Sequence, residues 1–182
     1  MPNTLFNRYR TLAQKAEVSL GTKASMDWFR RRIRKDKPIK DHTRVSRDLK
    51  TARFELGSLC TYVYDPKTKD KLPFYDMFPL VIVLAPAKGG WYGCNLHYLP
   101  PTIRAEILLD IGYKRANLGQ IAKRIENNPL TRPALKRYLQ GQLQSKPVVI
   151  PRDEWEIAIQ LPFENFINAT QKQVWKDSRS KM

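Results

Sequence analysis

The chain opens on a helical period. Leu5, Tyr9, Leu12 and Ala16 recur at three- and four-residue spacing and Gly21 punctuates their end, which predicts a first helix within residues 1–21. Met26, Phe29 and Ile33 share one face of a second predicted helix over 25–36, with Ser25 as its N-cap and Pro38 as its stop. Val45, Leu49 and Ala52 predict a third, from Thr43 to Phe54. None of the three carries enough apolar surface to stand alone, so each must dock on the central domain, on the others or on a partner.

At Gly57 the pattern changes. Leu59–Tyr64 is a β-branched and aromatic run closed by the turn signal Asp65-Pro66-Lys67. Lys71–Met77 reads as a loop or short strand, Pro79–Ala85 as a strong strand, Pro86–Gly90 as a turn and Trp91–Tyr98 as another strand. These segments describe an antiparallel meander. After Pro100-Pro101, a helix over Thr102–Ile111 turns Ile103, Ile107, Leu108 and Ile111 inward, and Asn117–Glu126 predicts a second. Thr131 is placed to cap a further helix reaching Leu143, with Leu135, Tyr138, Leu139 and Leu143 as its stripe. Pro147–Ile150 is strand-like, and Arg152–Glu156 predicts one helical turn. Trp155, Ile157, Ile159 and Leu161 then alternate with the period of a half-buried strand, read as returning to the meander and closing a small bent sheet or barrel. A short helix over Thr170–Ser178 carries Val174 and Trp175.

Charge divides the chain along the same lines. Residues 1–56 hold 15 basic and 6 acidic side chains, and residues 100–150 hold 9 and 3. Residues 57–99 hold 4 and 3, and residues 151–182 balance at 5 and 5. The excess of +16 therefore flanks a neutral block, which makes a polyanion the first partner to consider. With 42% hydrophobic residues the chain can form a core, and no run approaches the roughly 18 apolar residues of a membrane span. The first residues lack an apolar block followed by a small-residue cleavage site, so no secretory signal is expected. Cys60 and Cys94 lie in strand-like stretches and read as small buried hydrophobes in a reducing compartment; without a Cys-x-x-Cys pair a zinc site is not expected.

Catalytic machinery is not evident. His42 sits in a charged linker. His97 follows an aromatic strand and reads first as a buried ring bonded to a backbone carbonyl, second as a general base. Asp76, among Tyr75, Met77 and Phe78, reads first as a turn cap or an Arg partner and second as an acid/base group. Gly89-Gly90 is a hairpin turn, since no helix and no Lys-Ser/Thr pair follows it. The expectation is no enzyme, no metal, no cofactor, no small-molecule substrate and no membrane partner.

The stretch Arg30–Lys40 is the stronger functional candidate: Arg30, Arg31, Arg32, Arg34, Lys35, Lys37 and Lys40 make up seven of its eleven residues. Neutralising phosphates in this way gives salt-dependent affinity blind to sequence, and Arg suits bidentate pairing. The same stretch can equally be a solvated face or a contact for an acidic neighbour. Arg132, Lys136 and Arg137 form a second basic group. Trp28, Phe29, Trp91, Tyr92 and Trp175 are candidate interface anchors, with core packing as their plainer role. No groove-reading module appears, so base-specific readout is not expected.

The strings Tyr62-Val63-Tyr64-Asp65-Pro66-Lys67, Lys71-Leu72-Pro73-Phe74-Tyr75-Asp76-Met77-Phe78-Pro79-Leu80 and Asn95-Leu96-His97-Tyr98-Leu99-Pro100-Pro101 resemble a family of small proteins of large T-even-type tailed bacteriophages. Lys136-Arg137-Tyr138-Leu139, Asp153-Glu154-Trp155 and Val174-Trp175-Lys176-Asp177-Ser178 look similar too. The resemblance covers about residues 57–180 and leaves the basic N-terminal region outside. It implies a virion or assembly component, structural or associated with the DNA end, assembled in the host bacterial cytoplasm beside other virion proteins in several copies. A fainter likeness, in fold only, is to the SH3-like barrels of growth-inhibiting RNase toxins.

The expected fold is therefore α+β: a small bent antiparallel sheet of SH3-like barrel type with flanking short helices. Residues 1–56 form a basic helical extension, and residues 57–182 form the barrel-like domain, with helices inserted at about 100–145. The expected function is a non-enzymatic structural component of the virion, at the neck, tail or baseplate, with packaged double-stranded DNA as a candidate contact. A DNA-end or non-specific nucleic-acid-binding protein acting in packaging or ejection is the second reading, and a barrel-type RNase the third.

Overall fold

The computed structural model describes residues 5–36, 55–112 and 117–180. The third predicted helix, the Pro38 stop, His42, Lys37 and Lys40 lie outside those residues. The protein is α+β, as the sequence implies, with a small antiparallel sheet flanked by helices.

Helix α1 spans Leu5–Lys15 and buries Phe6, Tyr9 and Ala13. The buried stripe is thus shifted by one position from the predicted one: Leu5 and Leu12 pack at its margin, and Ala16 is exposed. Helix α2 spans Lys23–Asp36 and buries Met26, Phe29 and Ile33, the face its spacing predicts. Its cap is Thr22 rather than Ser25. Thr22 Oγ1 accepts the Ser25 amide at 3.0 Å while Ser25 Oγ accepts the Thr22 amide at 3.1 Å, a reciprocal capping box with Ser25 three residues inside.

The central sheet has five strands in the order β5-β4-β3-β1-β6, every pairing antiparallel. They are β1 (Leu59–Thr61), β3 (Leu80–Ala87), β4 (Gly90–Asn95), β5 (Leu135–Leu139) and β6 (Val148–Ile150). A separate pair joins β2 (Tyr75–Asp76) to β7 (Phe166–Ile167). Strand β3 shows why an unbroken apolar run forms a strand here. Leu80, Ile82 and Leu84 enter one core and Val81 and Val83 another, so both faces of the sheet are covered.

The larger core lies between the sheet and the helices and includes Phe6, Tyr9, Met26, Phe29, Leu108, Trp155 and Val174. The second core is smaller and aromatic: Tyr62, Tyr64, Trp91 and Tyr138 pack with Cys60, Val81 and Val83. Cys60 and Cys94 fall into different cores as free thiols, fully buried. Burial pushes both thiols up, Cys94 to about 12. Helices α3 (Pro101–Gly112), α4 (Leu118–Asn127, capped by Asn117) and α6 (Gln171–Ser180) agree with their spacing.

Two expectations fail. The segment read as a helix from Thr131 to Leu143 is a turn over Arg132–Ala134, then strand β5, then a turn over Gln140–Gln142. Pairing with β4 outweighs the local helical spacing, because it places Tyr138 in the aromatic core, 5.9 Å from Trp91 and 5.0 Å from Tyr64 by ring centroids. Gly90 permits that approach, since a Cβ there would lie 1.8 Å from the Tyr138 carbonyl oxygen. The segment read as a closing strand over 155–161 is instead helix α5, Trp155–Ala158, and a turn. Its residues from Glu154 to Ile159 are all buried, so the alternation does not separate an inner from an outer face. The sheet accordingly ends at β5 and β6, and the closure predicted from the late strand does not form. Beyond β1 the chain makes further contacts, where Tyr64 bridges to Leu143 and Val63 accepts the Gln144 amide at 2.9 Å.

Candidate nucleic-acid interface

The last helical turns of α2 expose cations. Arg31, Arg34 and Lys35 are exposed and have no acidic partner among the described residues. Arg30 pairs with Asp27 at 2.8 Å, and Arg32 shares Asp36 with Arg8 at 3.4 and 3.2 Å. The described part of the basic stretch therefore splits. Arg30 and Arg32 spend their charge within the helical layer, and the other three face solvent on a helix held by Met26, Phe29 and Ile33.

The second basic group is brought to a different place. Between the 65–75 connection and β5 lies a cavity of about 280 Å³. Phe74, Tyr75, Tyr98 and Tyr138 supply ring surface to it, while Lys67, Lys136 and Arg137 supply cations. Lys136 Nζ stands 4.1 Å from the centroid of the Tyr98 ring, within cation–π range. Arg137 is exposed and donates to the Lys88 carbonyl at 2.9 Å. Arg132 is exposed, donates to the Glu126 carbonyl at 3.1 Å and does not line the cavity. Of the eight predicted basic residues that are described, only Lys136 and Arg137 share this site.

The cavity's polar floor is a hydrogen-bonded network centred on Asp76, in which His97 Nε2 is buried without a partner among the described residues. Asp76 is buried, and its two oxygens accept four donors. Oδ1 takes the Phe78 amide at 3.1 Å and the Asn165 amide at 3.2 Å; Oδ2 takes Asn95 Nδ2 at 3.2 Å and His97 Nδ1 at 2.7 Å. Burial alone would raise the carboxyl, but the facing His97 ring and these hydrogen bonds outweigh it and hold Asp76 below its ordinary value. Asp76 caps a turn, as read from the sequence, but its partner is a histidine and not an arginine. His97 in turn bonds a carboxylate rather than the predicted carbonyl.

The buried cation of this region escaped the sequence reading. Arg104, on α3 between inward-facing Ile103 and Ile107, donates to the carbonyls of Leu99 at 2.7 Å, Ile159 at 3.0 Å and His97 at 3.4 Å. Burial lowers its guanidinium to about 10, partly offset by Glu164 and Asp76. It ties the turn after β4 to the segment after α5. A charged residue on the predicted apolar face of α3 was the one available signal.

The five aromatic anchors divide three ways. Phe29 and Trp91 are core residues. Trp28 is half-buried and meets Phe29 edge-on at 5.1 Å, and Trp175 is half-buried with its Nε1 donating to the His97 carbonyl at 3.1 Å. Tyr92 alone is exposed, at 42%. Among the described residues no group of three or more His, Cys, Asp and Glu side chains is placed to hold a metal, and no helix is long and apolar enough to cross a membrane.

The fold is thus mixed, with a buried Asp76–His97 network, exposed cations on α2 and a cavity lined by aromatic rings. The chain belongs to the family of the phage T4 terminal DNA protecting protein, whose model matches residues 2–179. The match confirms the T-even-type resemblance and extends it. The N-terminal residues left outside that resemblance fall within the family. No curated protein and no solved structure matches the chain.

Proposed function

We propose that this protein binds the ends of double-stranded DNA during packaging or ejection, without enzymatic activity, and is carried in the phage particle with its DNA. The observation that carries the reading is family membership with a protein described as protecting terminal DNA, joined to cations that face solvent on α2 and around the aromatic cavity. Asp76 and His97 support the non-enzymatic part. Every lone pair direction of Asp76 is used internally, and the His97 ring is fully buried. DNA contact thus replaces a purely structural place at the neck, tail or baseplate as the principal role.

Equilibrium binding of a linear duplex at rising ionic strength tests this. Affinity should fall steeply and log-linearly with salt, because phosphate neutralisation releases counterions. Absence of binding even at low ionic strength would remove the proposal.

A further inference from the structure

We propose that the cavity between the 65–75 connection and β5 takes the terminal base of a DNA end, frayed from its duplex and laid against the aromatic walls. The proposal rests on the DNA-end reading above and names the part of the molecule that distinguishes an end from continuous duplex.

Size is the first argument. A volume of about 280 Å³ lies near the lower limit of ligand pockets, which run from roughly 300 Å³ upward. It admits one small planar group and excludes a duplex or an amphipathic helix. Wall chemistry is the second. Phe74 and Tyr75 are only half-buried, and with Tyr98 and Tyr138 they line the cavity with rings. Stacking on aromatic side chains is the sequence-tolerant way to hold an unpaired base.

Charge is the third argument. Lys67, Lys136 and Arg137 are the ionised groups at the cavity besides Asp76, whose carboxylate is fully bonded within the floor. The cations suit the phosphate attached to a stacked base. The floor supplies the fourth argument. Asn95 Nδ2 donates to Asp76 and its Oδ1 accepts the His97 amide at 3.0 Å, so the floor's amide and carboxylate are satisfied internally. No base edge is selected by them, which fits an end-binding protein indifferent to sequence.

An interior base could reach this cavity only by breaking its pair and unstacking on both sides, whereas a terminal base needs only to fray. The cavity therefore converts base stacking into a preference for ends, while the α2 cations bind any phosphate chain.

The test uses the full chain and two blunt duplexes of one sequence carrying 5-iododeoxyuridine, one at the terminal position and one at the centre. After irradiation the terminal probe should crosslink to Phe74, Tyr75 or Tyr98, and the central probe should not. In parallel, Phe74→Leu with Tyr75→Leu keeps the apolar burial and removes two rings. This variant should lose about tenfold in preference for linear over covalently closed circular DNA and bind the circle as before. Terminal crosslinks confined to residues outside the cavity, in a protein that still prefers linear DNA, overturn the pocket and leave the DNA-end reading standing. A wild-type protein with no preference for linear DNA overturns both.

Discussion

Glu156 accepts the Ser25 hydroxyl at 2.5 Å, joining α5 to the first turn of α2 across 131 positions of sequence. The same carboxylate accepts the Gly21 amide at 2.5 Å. A buried anion thus sits at the N-terminus of the helix that carries Arg31, Arg34 and Lys35, where the unpaired amides and the helix dipole favour negative charge. Arg10 adds a second tie by pairing with Asp153 at 2.9 Å and Glu154 at 2.6 Å. The N-terminal helices are held in the common core by these polar contacts as well as by Phe29 and Met26.

Glu156→Ala should therefore destabilise the whole protein by about 1–3 kcal/mol, the cost of leaving buried donors unsatisfied. Urea denaturation measures this, and Glu156→Gln should retain part of the stability through its remaining acceptor. A change within about 0.5 kcal/mol, the range of ordinary surface substitutions, would mean the contact does not hold α2 in place.

Asp76 gives stability a pH dependence of defined sign. In the folded protein its carboxyl is held below the ordinary value of 3.8, to which it returns on unfolding. Its contribution is therefore complete above that ordinary value and is lost as pH falls through the lower folded one. Asp76→Asn should lower stability at neutral pH and flatten the acid limb of a stability–pH profile. An unchanged acid limb in the variant would contradict the assignment.

Gly90→Ala tests the placement of β5. Its Cβ would meet the Tyr138 carbonyl oxygen at 1.8 Å and the Leu139 Cα at 3.0 Å, both backbone atoms that cannot swing aside. The expected cost is about 1–3 kcal/mol with loss of the β4–β5 pairing. Gly141→Ala, with open space around it, should cost far less. Thermal unfolding compares the two, and equal stability of both variants would count against the register.

Three substitutions on α2, Arg31→Gln, Arg34→Gln and Lys35→Gln, should leave stability nearly unchanged because these side chains are exposed. Together they should reduce the slope of log affinity against log salt by about 2–3, since each phosphate contact contributes roughly 0.9. A slope equal to that of the wild type would assign these cations to an acidic protein neighbour instead.

The sequence made the strands from Leu59 to Asn95 legible, because an unbroken apolar run such as Leu80–Leu84 has few alternatives to a strand covered on both faces. It made α2 legible for a similar reason: Met26, Phe29 and Ile33 lie on one stripe among charges. It misplaced Leu135–Leu139, whose strand depends on a distant partner and on the missing Cβ of Gly90. It misread Trp155–Leu161, because Glu156, counted as a solvent position, is buried against Gly21 and Ser25. Of the candidate site, the basic residues were visible as charge. Their assembly was not: Lys136 reaches the Tyr98 ring through the β4–β5 register, and Phe74 and Tyr75 appeared in a loop or short strand without a cavity to line.

The central claim is that this protein recognises DNA ends. Its most direct test is competition for the bound protein between a linear blunt duplex and the same sequence closed into a covalent circle, at one fixed ionic strength. The account predicts that the linear form competes more strongly at equal nucleotide concentration, and that shortening the duplex, which raises the number of ends per nucleotide, increases its advantage. Equal competition by circle and linear duplex at every length would contradict it.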